Sequence, residues 1–158
     1  MIVLGVDPGY DRAGFALVEE SGGKFKLIHS ECAETNSKDN FEKRLWEITD
    51  RYKKLIEKYK PDFCAIELLF VAKNKKTAMQ VAEVRGALLY TTEDKKLKVL
   101  QFTPKEIKSM VCGDGSAEKQ QIYKMVSLLI PTLPKGKKDD EYDAVAVSIS
   151  GLLAKGGS

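Results

Sequence analysis

Four acidic residues stand at the boundaries of apolar segments, and their placement indicates a shared site. They are Asp7, Glu67, Asp140 and Asp143. The first ends the apolar run 2–6, the second ends the run 63–66, and the last two open the helical segment that continues as 144–153. Two unit charges 4 Å apart repel by about 4 kcal/mol at an effective dielectric of 20. Such a cluster therefore persists only if cations neutralise it or protons bind to it.

Oxygen ligands without His or Cys favour Mg²⁺ or Mn²⁺, and two such ions promote phosphoryl transfer by activating a water and stabilising the leaving oxygen. The acids therefore predict two divalent ions in one active site. Each acid alone has a simpler explanation. Asp7 could cap the sharp turn at 7–9, and Asp139, Asp140 and Glu141 could favour a helix start through its dipole. Asp139 or Glu141 could also replace Asp140 as a ligand.

The elements that must position these acids predict an α/β fold with a mixed five-stranded sheet. Residues 2–6, 14–19 and 25–32 are typical of strands, and a tight Ser-Gly-Gly turn at 21–23 joins the last two. Strands connected this closely form an antiparallel meander. Asp7 then lies at one end of it.

A long helix is predicted over 36–59 by apolar residues spaced at three and four, and a strand follows at 63–66. A strand, helix, strand order implies a right-handed crossover and a strand parallel to the first. Asp7 and Glu67 would then lie at the carboxyl ends of neighbouring parallel strands. Open α/β sheets bind their ligands at that edge.

The second half of the chain adds a fifth strand at 99–102 and four helices. These helices are predicted at 79–89, from Thr103 to about Val111, after a Ser116 cap, and from about Asp139 to Leu153. Gly86 lowers helix stability by about 1 kcal/mol relative to Ala, so we expect a close helix contact there, within the chain or between subunits. A length of 158 residues suits one domain over 1–158.

The composition favours a reducing, cytoplasmic location and no membrane association. The longest apolar runs are far too short for a bilayer, and no signal peptide precedes Met1. Three scattered cysteines without a CxxC motif argue against disulfides and zinc. The net charge is only +3, but setting aside the four clustered acids leaves +7, a basic surface around an acidic site. That balance is compatible with a nucleic-acid partner.

Six short motifs occur along the chain. They are Gly5-Val6-Asp7-Pro8-Gly9 with Gly14; Ile66-Glu67 with Phe70 and Ala72-Lys73-Asn74; Arg85-Gly86; Pro104 with Lys108; Gly113-Asp114-Gly115-Ser116-Ala117-Glu118-Lys119; and Asp140 with Asp143-Ala144-Val145-Ala146. Through their order and spacing, the sequence resembles the RuvC family of Holliday junction resolvases, which have the ribonuclease H-like fold. The resemblance covers nearly the whole chain.

The resemblance implies a catalytic role for the acids. It assigns metal binding and catalysis to Asp7, Glu67, Asp140 and Asp143. It also places a junction-contacting aromatic at Phe70 and two basic residues for DNA binding or catalysis at Lys108 and Lys119.

The resemblance further implies a homodimer that makes two symmetric nicks across a four-way DNA junction during recombination and repair. One acid cluster cuts one strand, so paired incision needs two clusters, most simply related by a two-fold axis. The family resemblance leaves a branch-migration complex open as a further partner.

Other lysines near the acidic edge are expected to contact phosphates. They are Lys73, Lys75, Lys76, Lys135, Lys137 and Lys138. Each could instead belong to an ordinary solvated face. Phe70 could likewise be a core residue, although its position beside Lys73 favours stacking on, or wedging into, DNA.

The sequence departs from the family pattern near the acids. Ala13 replaces a usual Thr, Leu68 replaces a usual polar residue, and Tyr10 and Asp11 are unusual in the loop after Asp7. We expect Asp11 to add a negative charge near Asp7.

Two alternative functions remain open at this stage. One is a junction-binding protein without catalysis, which would bind without Mg²⁺ and leave no nicks. The other is an RNA-directed nuclease on the same fold. A sugar-kinase-like phosphotransferase would need two such domains, and 158 residues are too few for them.

Overall fold

Five strands and five helices build the part of the chain that the structure describes. The computed structural model describes residues 1–68 and 75–156, and for Lys75 and Lys76 it describes the helix but not the side chains. The strands are β1 (Ile2–Asp7), β2 (Arg12–Ser21), β3 (Lys24–Glu34), β4 (Phe63–Glu67) and β5 (Lys98–Phe102). The helices are α1 (Phe41–Tyr59), α2 (Lys75–Asp94), α3 (Pro104–Cys112), α4 (Lys119–Leu129) and α5 (Asp139–Gly156).

The strands form one mixed sheet in the order β3-β2-β1-β4-β5. β1 pairs antiparallel with β2, and β2 pairs antiparallel with β3. β4 runs parallel to both β1 and β5. The predicted meander and the predicted parallel neighbour of β1 are therefore both confirmed. Gly22 and Gly23 adopt positive φ at the β2–β3 turn, as the Ser-Gly-Gly sequence predicts.

Helices cover both faces of the sheet, which explains why β1 is apolar throughout. Val3 faces a core built with α3, α4 and α5. Leu4 and Val6 face a second core built with α1 and α2, where Ile48 and Tyr52 are fully buried. Alternate residues of a strand point to opposite faces, so a strand between two helical layers needs apolar residues at every position.

Two predicted helix starts are wrong because other residues cap the helices. α1 begins at Phe41 rather than 36, since the Asn40 side chain accepts a hydrogen bond from the Lys43 amide and caps the helix there. α4 begins at Lys119 with Glu118 at its N-cap. Ser116 caps no helix, because its hydroxyl donates to the Asp114 carboxylate instead.

Glycines allow α5 to approach the sheet at the end that carries the acids. A Cβ atom on Gly5 would lie 2.2 Å from Ser148 Oγ and 2.3 Å from the Ala144 carbonyl oxygen. A Cβ atom on Gly14 would lie 1.9 Å from the Asp140 carbonyl oxygen. The backbone of α5 therefore lies directly on β1 and β2, and this contact brings the start of α5 to the carboxyl end of β1.

We expect Gly5→Ala to destabilise the fold by about 3 kcal/mol, because the new methyl group meets helix backbone that cannot move aside. Gly86→Ala is the matched control. A Cβ atom on Gly86 meets nothing within 4 Å, so this change should stabilise α2 by roughly 0.5–1 kcal/mol. Denaturant unfolding measures the stability of both variants, and equal stability of Gly5→Ala and the wild type would contradict the packing of α5 on β1.

The open space around Gly86 shows that the close helix contact predicted there is wrong within the described chain. A contact at Gly86 between subunits stays a prediction.

Within residues 1–68 and 75–156, no helix is both long enough and apolar enough to cross a bilayer.

Candidate active site

The four predicted acids come from three neighbouring elements. Val6 pairs with Ile66 in the parallel β1–β4 ladder, so the residues that follow them, Asp7 and Glu67, end adjacent strands. Asp140 and Asp143 lie at the start of α5, the helix that packs on β1 and β2.

The pKa values of three carboxyl groups show that the acids share one electrostatic environment. Burial raises the pKa of Asp7 to about 8, and the neighbouring charges of Glu67, Asp143 and Asp140 add to the rise. Burial, followed by the charge of Asp143, raises the pKa of Glu67 to about 7. The pKa of Asp143 is also raised, mainly by burial. Clustered, partly desolvated carboxylates of this kind bind protons or cations in preference to remaining ionised and alone.

Two basic side chains from distant parts of the chain meet the acids of α5. Lys119 Nζ lies 3.0 Å from Asp143 Oδ2 and 3.4 Å from Asp139 Oδ2. Arg12 Nε lies 3.5 Å from Asp140 Oδ2. Burial alone would lower the pKa of Lys119, but its contacts with Tyr123 and Asp143 raise it, so Lys119 stays charged.

The donor atoms suit a hard divalent cation, although the side chains are not already gathered around one point. Within the described ranges, no three His, Cys, Asp or Glu side chains are arranged to hold a metal ion. Asp143 and Asp140 are instead directed to Lys119 and Arg12. Asp7 and Glu67 form no side-chain hydrogen bond or ion pair with any residue that the structure describes. Their raised pKa values show that this negative charge is poorly compensated, so the residues fit Mg²⁺ or Mn²⁺.

The raised pKa values predict how folding stability depends on pH. The folded protein keeps protons on Asp7 and Glu67 up to about pH 7–8, whereas the unfolded chain releases them near pH 4. The folded state therefore binds more protons over this range, and stability should fall as the pH rises through it. We expect the melting temperature in chelator to drop by several degrees between pH 5 and pH 8, and Mg²⁺ to restore it at pH 8. Asp7→Asn is the control, and a variant with the same pH dependence as the wild type would contradict the assignment.

A cavity of about 260 Å³ opens beside the acids. Glu67 and Asp143 line it together with Lys108 and Lys119, and apolar side chains of α3, α4 and α5 complete the lining. The structure thus brings both lysines indicated by the family resemblance to the two acids. A cavity with carboxylates on one side and ammonium groups on the other can accept a phosphate whose charge is shared between cations and lysines.

The acids next to Asp140 have different surroundings. Glu141 accepts hydrogen bonds from Ser30 Oγ at 2.7 Å and Lys137 Nζ at 2.9 Å. Its carboxylate is therefore already hydrogen-bonded, both to β3 through Ser30 and to Lys137. Asp139 is largely exposed, and its carboxylate pairs with Lys119 at 3.4 Å. Asp140 is engaged as well, by Arg12 and Cys32, but its charge is among those that raise the pKa of Asp7.

The predicted DNA-contacting residues are only partly described. Phe70 and Lys73 lie outside the described residues, as do the side chains of Lys75 and Lys76. Two further lysines already form ion pairs within the protein: Lys137 pairs with Glu141, and Lys138 pairs with Glu34. Lys135 is exposed.

Sequence reasoning missed two residues that touch Asp140. Arg12 forms the ion pair with its carboxylate, and Cys32 Sγ donates a hydrogen bond to Asp140 Oδ2 at 3.8 Å. Arg12 could have been noticed as the only basic residue among the first thirteen. Nothing in the sequence around Cys32 points to Asp140, because the contact joins residues 108 positions apart.

Comparison with known proteins agrees with the geometry of the site. Residues 3–151 match the family model described as crossover junction endodeoxyribonuclease RuvC. Curated proteins with that name include one from Petrotoga mobilis, 40% identical over 94% of this chain and 91% of its own. Another, from Brachyspira hyodysenteriae, is 39% identical over 95% of this chain and 92% of its own.

Solved structures show the same architecture. Thermus thermophilus RuvC in complex with a Holliday junction substrate superposes with a TM-score of 0.92, at 24% identity, over 98% of this chain and 94% of that chain. A second Thermus thermophilus RuvC structure superposes with a TM-score of 0.90 at 25% identity, over 99% of this chain and 97% of that chain.

Fold and site together define a ribonuclease H-like protein with a cluster of acids at the carboxyl ends of β1 and β4. The chain belongs to the RuvC family of crossover junction endodeoxyribonucleases. The predicted family and fold are confirmed, and the prediction of a metal-dependent DNA endonuclease is confirmed at the level of the family.

Proposed function

We propose that this protein resolves four-way DNA junctions by paired, symmetric nicks in recombination and repair, using two divalent metal ions per active site. One observation carries the proposal. Acids from two adjacent strand ends and from α5 meet at one edge of the sheet, in a chain whose residues 3–151 match the RuvC family model. The Thermus thermophilus structure in complex with a Holliday junction supports the choice of substrate.

Asp7, Glu67, Asp140 and Asp143 would hold the metal ions and are the proposed catalytic residues. Bound there, two divalent ions would activate water and stabilise the leaving oxygen of a phosphodiester. Asp7 and Glu67 come from strand ends that the sheet holds rigidly, so their carboxylates vary little in position. The two acids of α5 sit on one turn of a helix fixed by its contact with β1 and β2.

The basic side chains around the cavity would bind and orient the DNA backbone. Lys119 and Lys108 line the cavity beside Glu67 and Asp143, where a phosphate approaching the acids would lie. Lys119 also lowers the pKa values of Asp7 and Glu67 through its charge. It therefore lowers the pH at which both carboxylates ionise.

Phe70, Lys73, Lys75 and Lys76 are the further proposed DNA contacts. An aromatic side chain followed by lysines can stack on a base while the ammonium groups bind phosphates. This combination suits a distorted junction centre better than a regular duplex, because bases are most accessible where the strands exchange.

We further propose that the protein acts as a homodimer, since each acid cluster cuts one strand and paired nicks need two clusters. A branch-migration complex is a further proposed partner. Cytoplasmic location is proposed from the DNA substrate and from the three free cysteines.

The decisive experiment is cleavage of a mobile four-way junction with Mg²⁺, with Mn²⁺ and with chelator. Linear duplex and an RNA–DNA hybrid serve as controls. We expect paired nicks on opposing strands of the junction, only in the presence of a divalent ion. Tight junction binding without nicks would instead indicate a binding protein, and cleavage of the hybrid would indicate an RNA-directed nuclease.

A further inference from the structure

A buried arginine lies under the loop that follows Asp7. Arg44 belongs to the first turns of α1 and is only 7% exposed. Its guanidinium Nη2 donates to the Tyr10 carbonyl oxygen at 3.3 Å and pairs with the Asp11 carboxylate. The same guanidinium lies over the Tyr10 ring, with Cζ 4.7 Å from the ring centroid. Two consecutive residues of the loop are therefore held by one side chain.

Thr35, directly after β3, joins the same network. Arg44 Nε donates to Thr35 Oγ1 at 2.9 Å, and Thr35 Oγ1 donates in turn to the Tyr10 carbonyl oxygen at 2.8 Å. The Thr35 amide donates to the Asp11 carbonyl oxygen at 3.0 Å. One guanidinium thus ties α1, the end of β3 and the loop together, which the planar, multidentate geometry of arginine allows and a lysine cannot reproduce.

The loop connects two parts of the acidic site. It starts at Asp7, whose backbone pairs with Gly14, and it ends at Arg12, which contacts Asp140. A shift of the loop would therefore move Asp7, a proposed metal ligand. It would also move Arg12, the cation beside the proposed ligand Asp140. The negative charge expected from Asp11 near Asp7 is compensated, because its carboxylate pairs with Arg44, and Asp11 is not among the groups that raise the pKa of Asp7.

We infer that Arg44 is a positioning residue for the metal site: through Tyr10, Asp11 and Thr35 it holds the 8–11 loop in the conformation that places Asp7 to bind divalent ions and Arg12 to pair with Asp140. The inference rests on the proposed function and adds to it a residue that touches neither the metal nor the DNA. Outer contacts of this kind change metal affinity by roughly 10–100-fold when they are removed.

The test compares Arg44→Gln with Thr35→Val and with Arg51→Gln, an exposed arginine two turns further along α1. Two quantities are measured for each protein: the Mg²⁺ concentration for half-maximal junction cleavage, and the Mg²⁺ concentration for half of the thermal shift without DNA. We expect both to rise roughly 10-fold for Arg44→Gln and by a smaller factor for Thr35→Val. Arg51→Gln should behave as wild type, and Arg44→Lys should recover only part of the loss.

A purely structural role for Arg44 would lower the melting temperature in chelator and leave both Mg²⁺ requirements unchanged, which would overturn the inference. Thr35→Val keeps the inference testable if Arg44→Gln does not fold, and an unchanged Mg²⁺ requirement in a folded Thr35→Val would overturn it as well. The thermal shift needs no cleavage. A wild type that shows the shift but no nicks would therefore reject the proposed function, while the comparison of variants would still decide the role of Arg44.

Discussion

Asp7→Asn is expected to abolish junction cleavage while junction binding survives. Asp7 ends the central strand, and the charges of three other acids act on it. Its amide replacement keeps the shape of the side chain but loses the charge that attracts divalent ions. Metal ions contribute several kcal/mol to stabilising the transition state, so the cleavage rate should fall by roughly 10³-fold or more.

The same variant should be more stable than the wild type in chelator at pH 8, because a neutral amide avoids both burial of charge and repulsion from Glu67 and Asp143. Glu19→Gln is the matched control, since Glu19 lies at the opposite end of the β1–β2 pair. It should leave cleavage and stability unchanged. Single-turnover cleavage, junction binding in chelator and thermal unfolding are the measurements. If the Asp7→Asn variant cuts junctions at the wild-type rate, the proposed role of Asp7 as a metal ligand is rejected.

Lys119→Met is expected to reduce cleavage at pH 7 by roughly 10²-fold, comparable to the loss of one preorganised charged donor. Lys119 bonds to Asp143 at 3.0 Å and lowers the pKa values of Asp7 and Glu67. Without its charge, both acids bind protons more tightly and fewer of them are ionised at neutral pH. The activity should therefore recover partly at pH 9 and at raised Mg²⁺ concentration.

This recovery separates an effect on the acids from a loss of DNA contact. A lysine that only bound phosphate would lower activity equally at every pH and would weaken junction binding in chelator. Lys124→Met, an exposed change on the same helix, is the control and should cleave normally. A Lys119→Met pH profile parallel to that of the wild type would contradict an electrostatic effect of Lys119 on the acids.

Much of the fold could be predicted from the sequence because neighbouring residues encode it. The apolar run ending at Asp7 predicts a strand buried on both faces, and β1 has helical layers on both sides. The Thr-Pro-Lys-Glu sequence predicts a capped helix start, and α3 begins with that capping box at Thr103. The exact start of α1 was not predicted, because apolar periodicity over 36–59 does not fix where a helix begins. The Asn40 side chain caps the helix, which therefore begins at Phe41.

The positions of the acids could also be predicted, because the order of strands and helices places the ends of β1 and β4 side by side. The basic residues that pair with the acids could not be predicted in the same way. Lys119 reaches Asp143, Arg12 reaches Asp140, and Arg44 reaches Asp11 across long stretches of chain. Periodicity, turns and caps depend on residues within a few positions of each other, so the elements and the edge at which the acids lie could be inferred from local patterns. Which cation meets which acid depends on how whole elements pack, and that was decided only by the tertiary structure.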